Sequence, residues 1–231
     1  MKIYDEKTFF NFLNTVSKEN SNLIFRGVTS DKYKLIPSIG RNLYKKGSNK
    51  KLDEKDEDLI FRFFKQRCKP FLHKEIDDMN LLAIGQHHGL PTRLLDWTFS
   101  PLVAAYFAVE KEIIQPRESE RKIESSLIYT YDKKKKIIVD KSFENIKVEQ
   151  LEFFIPNHND DRIISQRGVL TVHPYPWNEL NDSNIKTYTI DLSYRRKLRR
   201  LLNQLGINKS TIYPGLDGIA EHIKWMNTNF Y

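Results

Sequence analysis

The sequence predicts an α+β fold, and three observations carry that prediction. Amphipathic helical patterns dominate the N-terminal half, short segments rich in Ile, Val, Tyr and Phe dominate the C-terminal half, and a nearly all-apolar helix lies between them. The expected architecture is a helical N-terminal half packed on a strand-rich C-terminal half.

Residues Lys7–Ser17 place Phe9, Phe12, Leu13 and Val16 at helical spacing. Leu23–Val28 reads as a compact apolar strand broken by Arg26 and Gly27, and Gly40–Lys55 as a basic surface loop. Asp53 opens an acidic lead-in that favours a helix over Asp53–Leu72. A further helix is expected over Asp77–His88, stopped by Gly89-Leu90-Pro91-Thr92. Ser100-Pro101 supplies an N-cap and a first helical position for the apolar run Leu102–Val109. Arg117–Glu124 reads as a charged loop. Strands are expected at Ser126–Tyr131, Lys136–Val139, Leu151–Ile155, Arg162–Val172 and Thr187–Ile190. A basic helix over Tyr194–Leu205, with Gly206 past its end, and a short helix at Ile219–Met226 complete the chain.

The composition bounds the function classes. With 231 residues and 39% hydrophobic residues, a sizeable core can form, and no repeat or long linker divides the chain, so one domain over residues 1–231 is expected. The single cysteine, Cys68, excludes an intramolecular disulfide and a cysteine metal cage, and is read as a packed thiol. No segment has the apolar length of a membrane span and the N-terminus has no apolar leader, which together point to a complete cytoplasmic protein without a membrane partner. The net charge of +8 is spread over Lys45–Lys51, Lys133–Lys136 and Arg195–Arg200 rather than gathered in a tail. It is compatible with solvated faces or with a polyanionic partner.

Three stretches can carry chemistry. Phe25-Arg26-Gly27 sets a guanidinium in an apolar strand, where it needs a carboxylate, carbonyls or an anionic ligand; Gly27 permits close approach of a backbone or ligand. The run from Gln86 through His87, His88, Gly89, Leu90, Pro91, Thr92, Arg93, Leu94, Leu95 and Asp96 to Trp97 is the densest polar stretch. Its arginine and aspartate can pair with each other, or Asp96 can pair with Arg26. Adjacent histidines on a helix diverge by about 100°, so His87 and His88 are not expected to share a metal. Ser100 reads as a cap rather than a nucleophile. In Arg162–Leu170, Gln166 is expected on a strand, where a buried amide needs several partners and a cleft-facing one does not.

On these residues the sequence resembles the FRG-domain family, named for the tripeptide seen here as Phe25-Arg26-Gly27. The resemblance includes the central run Gln86–Trp97, Ser100-Pro101, Ala104–Ala108, Arg162–Gly168 and Pro214–Ile219, covering about Leu23 to Lys224. A more distant similarity is to ADP-ribosyltransferases, whose layout has a strand-borne Arg-Gly, a Ser/Thr-containing strand before an Ala-Phe helix, and an acidic residue on a later strand. That similarity implies an ADP-ribosyltransferase-like fold, NAD as substrate, no metal, and a protein or nucleic-acid acceptor. It implies catalytic roles for Arg26, Asp96 and Gln166, and binding roles for Arg26, Gly27, His88, Thr92, Arg93, Trp97 and Ser100. Arg26 would hold the pyrophosphate, and Trp97 or a tyrosine would stack on a ring. Gln166 stands where the transferases have a glutamate, so either Asp96, Glu149 or Glu152 supplies the charge or the site is an NAD-binding domain that does not turn the nucleotide over. By fold-level analogy the same similarity implies a prokaryotic toxin or phage-defence effector.

Two readings from other classes compete. The basic helix Tyr194–Leu205 suits a non-catalytic nucleic-acid-binding module, with Arg195, Arg196, Lys197, Arg199 and Arg200 opposing a leucine face. A nuclease using His87 or His88 as general acid or base is the other.

Overall fold

The computed structural model describes residues 1–19, 22–72, 75–113, 122–133, 146–157 and 161–229, without the side chains of 161, 162 and 229. The strand expected over 136–139 and most of the loop expected over 117–124 lie outside the described residues.

The helices begin where the sequence provides donors for their first turns. α1 (Glu6–Lys18) is closed by a capping box between Asp5 and Thr8 and buries Phe9, Phe12 and Val16. α2 (Glu54–Cys68) starts at an Asp53 capping box and runs into a 3-10 turn over Lys69–Phe71. α3 (Asp78–His87) is capped by Asp77, and α4 (Pro101–Val109) by the Ser100 hydroxyl, which accepts from the Val103 N–H at 3.3 Å. Cys68 packs at the margin of the α2–α3 core as a thiol, as its setting suggested.

Seven strands form one sheet: β1 (Lys2–Ile3), β2 (Leu23–Val28), β3 (Leu94–Thr98), β4 (Ser125–Asp132), β5 (Glu152–Phe154), β6 (Gly168–Val172) and β7 (Ile185–Asp191). Their order is β1-β7-β4-β2-β3-β6-β5, antiparallel throughout except for β1 against β7. The α+β class holds, but the division into halves does not. β1, β2 and β3 come from the N-terminal half, and α5 (Asp161–Ser165), α6 (Arg195–Gln204), α7 (Lys209–Ile212) and α8 (Leu216–Asn229) from the C-terminal half.

Helices pack on one sheet face in two clusters. Phe9 and Phe12 of α1, Ala104 and Ala105 of α4, and Leu198 and Leu202 of α6 meet Phe25, Ile128 and Tyr188. Met79, Leu81 and Leu82 of α3 meet Leu94, Leu170 and Val172. The other face holds Ile24, Leu95, Trp97, Tyr131 and Val169, covered in part by Leu35.

α4 approaches the sheet closely at Gly27, where a Cβ would lie 1.8 Å from the Ala104 carbonyl oxygen and 2.7 Å from the Ala108 nitrogen. Gly27 therefore serves the approach of a backbone, that of α4. Its replacement by alanine must push α4 away from β2. G27A should lose about 3 kcal/mol or more, at or above the upper end of ordinary overpacking. A urea midpoint within error of wild type would refute this account of the glycine.

Candidate functional site

The sheet is joined at its centre by its shortest antiparallel pairing. β2 pairs with β4 over its whole length, from Leu23↔Asp132 to Val28↔Leu127, and β3 pairs with β6 from Leu94↔Val172 to Thr98↔Gly168. Between β2 and β3 the register is Phe25↔Thr98 alone. Beyond that pair the strands part, leaving Arg26–Val28 and Leu94–Trp97 as two lips. A cleft of about 1320 Å³ opens across them, and Arg26, Gly27, Asp96 and Trp97 line it. The segment after β2 contributes Tyr33 and Arg41, α3 contributes Gln86 and His87, and the end of α4 contributes Glu110 and Lys111.

Arg26 bridges the lips. Its Nη1 donates to the Asp96 main-chain carbonyl and lies 3.8 Å from Asp96 Oδ2, while its Nε is buried without a partner. Burial lowers the Arg26 pKa, opposed by Asp96 and reinforced by Arg41. An arginine remains protonated under such shifts, so the consequence is an under-satisfied cation rather than a neutral group. Trp177 Nε1, also on the cleft wall, is a second buried donor with no protein acceptor. Unpaired buried donors of this kind call for acceptor atoms from elsewhere.

Asp96 is held from behind. Thr92 Oγ1 donates to Gln86 Oε1, and Gln86 Nε2 donates to Asp96 Oδ1 at 2.5 Å. This relay fixes the carboxylate at the lip while leaving its side chain 67% exposed. Gln86 stands in the motif but carries no marker of its own role in the sequence. Only the fold, by returning β3 past the end of α3, shows what it holds.

The remaining candidates divide. Gln166 lines the same cleft, but it sits in the turn before β6, not on a strand. Its Nε2 donates to the Ile212 carbonyl at 3.2 Å, and its own carbonyl accepts from Thr98 Oγ1. The expected strand over Arg162–Val172 is split: α5 ends at Ser165, Arg167 takes a positive φ of 49°, and β6 begins at Gly168. His88 is exposed, and His87 rather than His88 reaches the cleft. Thr92 is buried in the relay, and Ser100 is spent as the α4 cap. Trp97 contributes to the wall, but its indole is buried, donating to Thr171 Oγ1 at 3.0 Å and packing against Tyr131. Tyr33, 58% exposed at the cleft, is the ring available for stacking. Glu149 and Glu152 are not among the lining residues; Asp96 and Glu110 are the carboxylates that are. Glu110 accepts from Lys209 Nζ at 2.6 Å and Tyr213 OH at 3.1 Å.

Arg93 pairs with Glu57 and not with Asp96. It is 1% exposed and makes a two-point contact with Glu57, Nε to Oε1 at 2.9 Å and Nη2 to Oε2 at 2.6 Å, plus Nη1 to the His173 carbonyl. Its task is to tie α2 to β3. Among the described residues no cluster of His, Cys, Asp and Glu has metal-binding geometry, and no helix is long and apolar enough to cross a membrane.

This is an α+β protein with an electropositive cleft opened in the middle of its sheet. Residues 21–116 match the model of the FRG domain. The matched span holds Phe25-Arg26-Gly27, the Gln86–Trp97 run and α4; Gln166 and Pro214–Ile219 lie beyond it. A comparison with curated proteins found no match, and neither did one with solved structures.

Two expectations follow from the buried groups. Removing one partner of the Arg93–Glu57 pair strands a charge, so E57Q and R93M should each cost about 3–5 kcal/mol in urea unfolding, and the double change less than their sum. Strict additivity would mean the pair does not act as a unit. Burial, with repulsion from Arg26 and Arg93, pushes the His173 pKa down to about 4. Between that value and the unfolded value of about 6.5 the unfolded chain binds the extra proton, so stability rises with pH across this window. The acid loss should be on the order of 3 kcal/mol, read as the pH dependence of unfolding, and H173Q should flatten it.

Proposed function

We propose that the cleft between β2 and β3 binds NAD and that the chain is an ADP-ribosyltransferase-like protein. The observation that carries this reading is Arg26, a cation at the split of the sheet with a single close acceptor and an unpaired Nε. A planar guanidinium offers paired donors that match the oxygens of a pyrophosphate. The surroundings support an anion of dinucleotide size. Arg41, Lys32, Lys34, Lys51 and Lys111 line the cleft with Arg26, against the two carboxylates Asp96 and Glu110. The volume of about 1320 Å³ exceeds what a single small ring or sugar needs.

In this reading Arg26 holds the pyrophosphate and Tyr33 offers a ring face. The bond from the anomeric carbon of the nicotinamide ribose to the nicotinamide nitrogen breaks, and nicotinamide leaves with the electron pair. An acceptor nucleophile bonds to the same carbon and releases its proton. Positive charge developing at that carbon is met by Asp96, aimed by Gln86 and Thr92. Gln166 is neutral and engaged with Ile212, so its role is confined to shaping the wall.

The test is incubation of the purified protein with labelled NAD, alone and with lysate, reading nicotinamide release and transferred label. R26A should abolish both, and R26K should not restore them, because lysine lacks the fork. D96N should slow turnover at least about a hundredfold while retaining most NAD affinity. Each variant is checked for a wild-type circular dichroism spectrum and melt. If wild-type protein neither binds nor turns over millimolar-scale NAD, the proposal is lost.

A further inference from the structure

A second cationic site lies on the far side of the α4 C-terminus. α6 contributes Arg195, Arg196, Arg199 and Arg200 to a pocket of about 480 Å³, with Lys111 opposite them and Glu112 as the acidic residue of the lining. The arginines are not alike. Arg195 is buried, and its Nη1 donates to the Ala108 carbonyl and to Ser126 Oγ, its Nη2 to the Lys111 carbonyl. It thereby closes the last carbonyls of α4, which a helix end leaves open. The expectation that Arg195 belongs to a solvated phosphate-tracking face is therefore corrected: it is a structural cap.

Arg199 lies 4.7 Å above the Trp225 ring, and the His222 ring stacks on Trp225 at 6.1 Å. No hydrogen bond or ion pair joins Arg196 or Arg199 to a carboxylate among the described residues. Burial lowers the Arg195 pKa to about 10, and the charge of Arg199 adds to the effect; burial also lowers the Arg199 pKa. Two guanidiniums thus repel each other in a partly closed pocket, and Glu110, Glu112 and Glu221 offset the burial of Arg199 only in part.

We propose that this pocket binds the phosphodiester backbone of a nucleic-acid strand. Guanidinium forks match phosphate oxygens in pairs. The site is extended, since exposed Arg196, Lys197 and Arg200 continue along α6 and Lys111 lines both this pocket and the cleft. A run of cations of that length takes several phosphates in series rather than one. Trp225 is buried beneath Arg199 and His222 and offers no open face to a base, and contacts to phosphates alone carry no sequence preference. This inference rests on α6 and stands independently of the reading of the cleft.

Fluorescence anisotropy with labelled single-stranded oligonucleotides of two unrelated sequences tests it. Both should bind alike, and a plot of log affinity against log salt should have a slope of about −2 to −3, three or four phosphate contacts on a single strand. R196E/R200E should weaken binding at least tenfold, whereas K7E/K18E, the same charge reversal on exposed α1 positions, should leave it within twofold. Melting curves establish that both variants are folded. Equal losses in the two double variants would reduce the effect to net charge and overturn the site. Absence of oligonucleotide binding by wild type would also overturn it. So would millimolar pyrophosphate that protects the fold of wild type but not of R196E/R200E in protein without oligonucleotide affinity, which would assign a small phosphate ligand.

Discussion

The contact on which the structure depends is the seating of α4 on β2 at Gly27. The Ala104 carbonyl approaches so closely that a methyl group has no room. Small residues on the helix, Ala104, Ala105 and Ala108, allow the same approach from the other side. This contact fixes where α4 ends, and that end supplies Glu110 and Lys111 to the cleft. It also fixes the target of Arg195, which reaches the Ala108 and Lys111 carbonyls from α6. The tripeptide Phe25-Arg26-Gly27 is thus two devices in one strand. Phe25 and Gly27 face the helix and build the core, and Arg26 faces the other way and builds the site.

Splitting a sheet costs main-chain hydrogen bonds, and the molecule replaces them with side chains. Arg26 supplies a donor to the Asp96 carbonyl where a neighbouring strand would otherwise have done so. Gln86 and Thr92 then hold the Asp96 side chain away from the seam. The strands on either side are tied elsewhere: β2 by its full ladder to β4, β3 by its ladder to β6 and by the buried Arg93–Glu57 pair. Each lip is thus held by partners other than the strand across the cleft.

Much of this was legible in the sequence, because the relevant signals are local. Asp5, Asp53, Asp77 and Ser100 each sit where a helix needs an acceptor, and α1 to α4 begin beside them. Arg26 in an apolar strand announced a cation needing a partner, and Asp96 proved to be the carboxylate facing it. What escaped depends on distance along the chain. The partner of Arg93, Glu57, lies on a helix that looks solvated, and nothing near either residue shows that they meet. Two consecutive isoleucines suggested strand at Ile163-Ile164, yet those residues form a short helix whose following turn, at Arg167, sets up β6. Arg195 was indistinguishable from its neighbours on a basic helix, because only the approach of α4 tells a buried arginine from an exposed one.

The +8 charge is therefore an inventory of different tasks. Three arginines are withdrawn from water, and their partners rank them. Arg93 has a two-point carboxylate and a carbonyl, the fullest set of partners of the three. Arg195 has two carbonyls and a hydroxyl, enough to hold a cation at a helix terminus where the dipole already favours it. Arg26 has one carbonyl, a carboxylate at 3.8 Å and an unpaired Nε, beside an open cleft. A buried charge left so poorly satisfied is a net cost to folding, since a well-packed apolar residue at the same place carries no such penalty. The two arginines that stabilise the fold are the ones the structure satisfies. The arginine it leaves wanting is the one placed to meet a ligand.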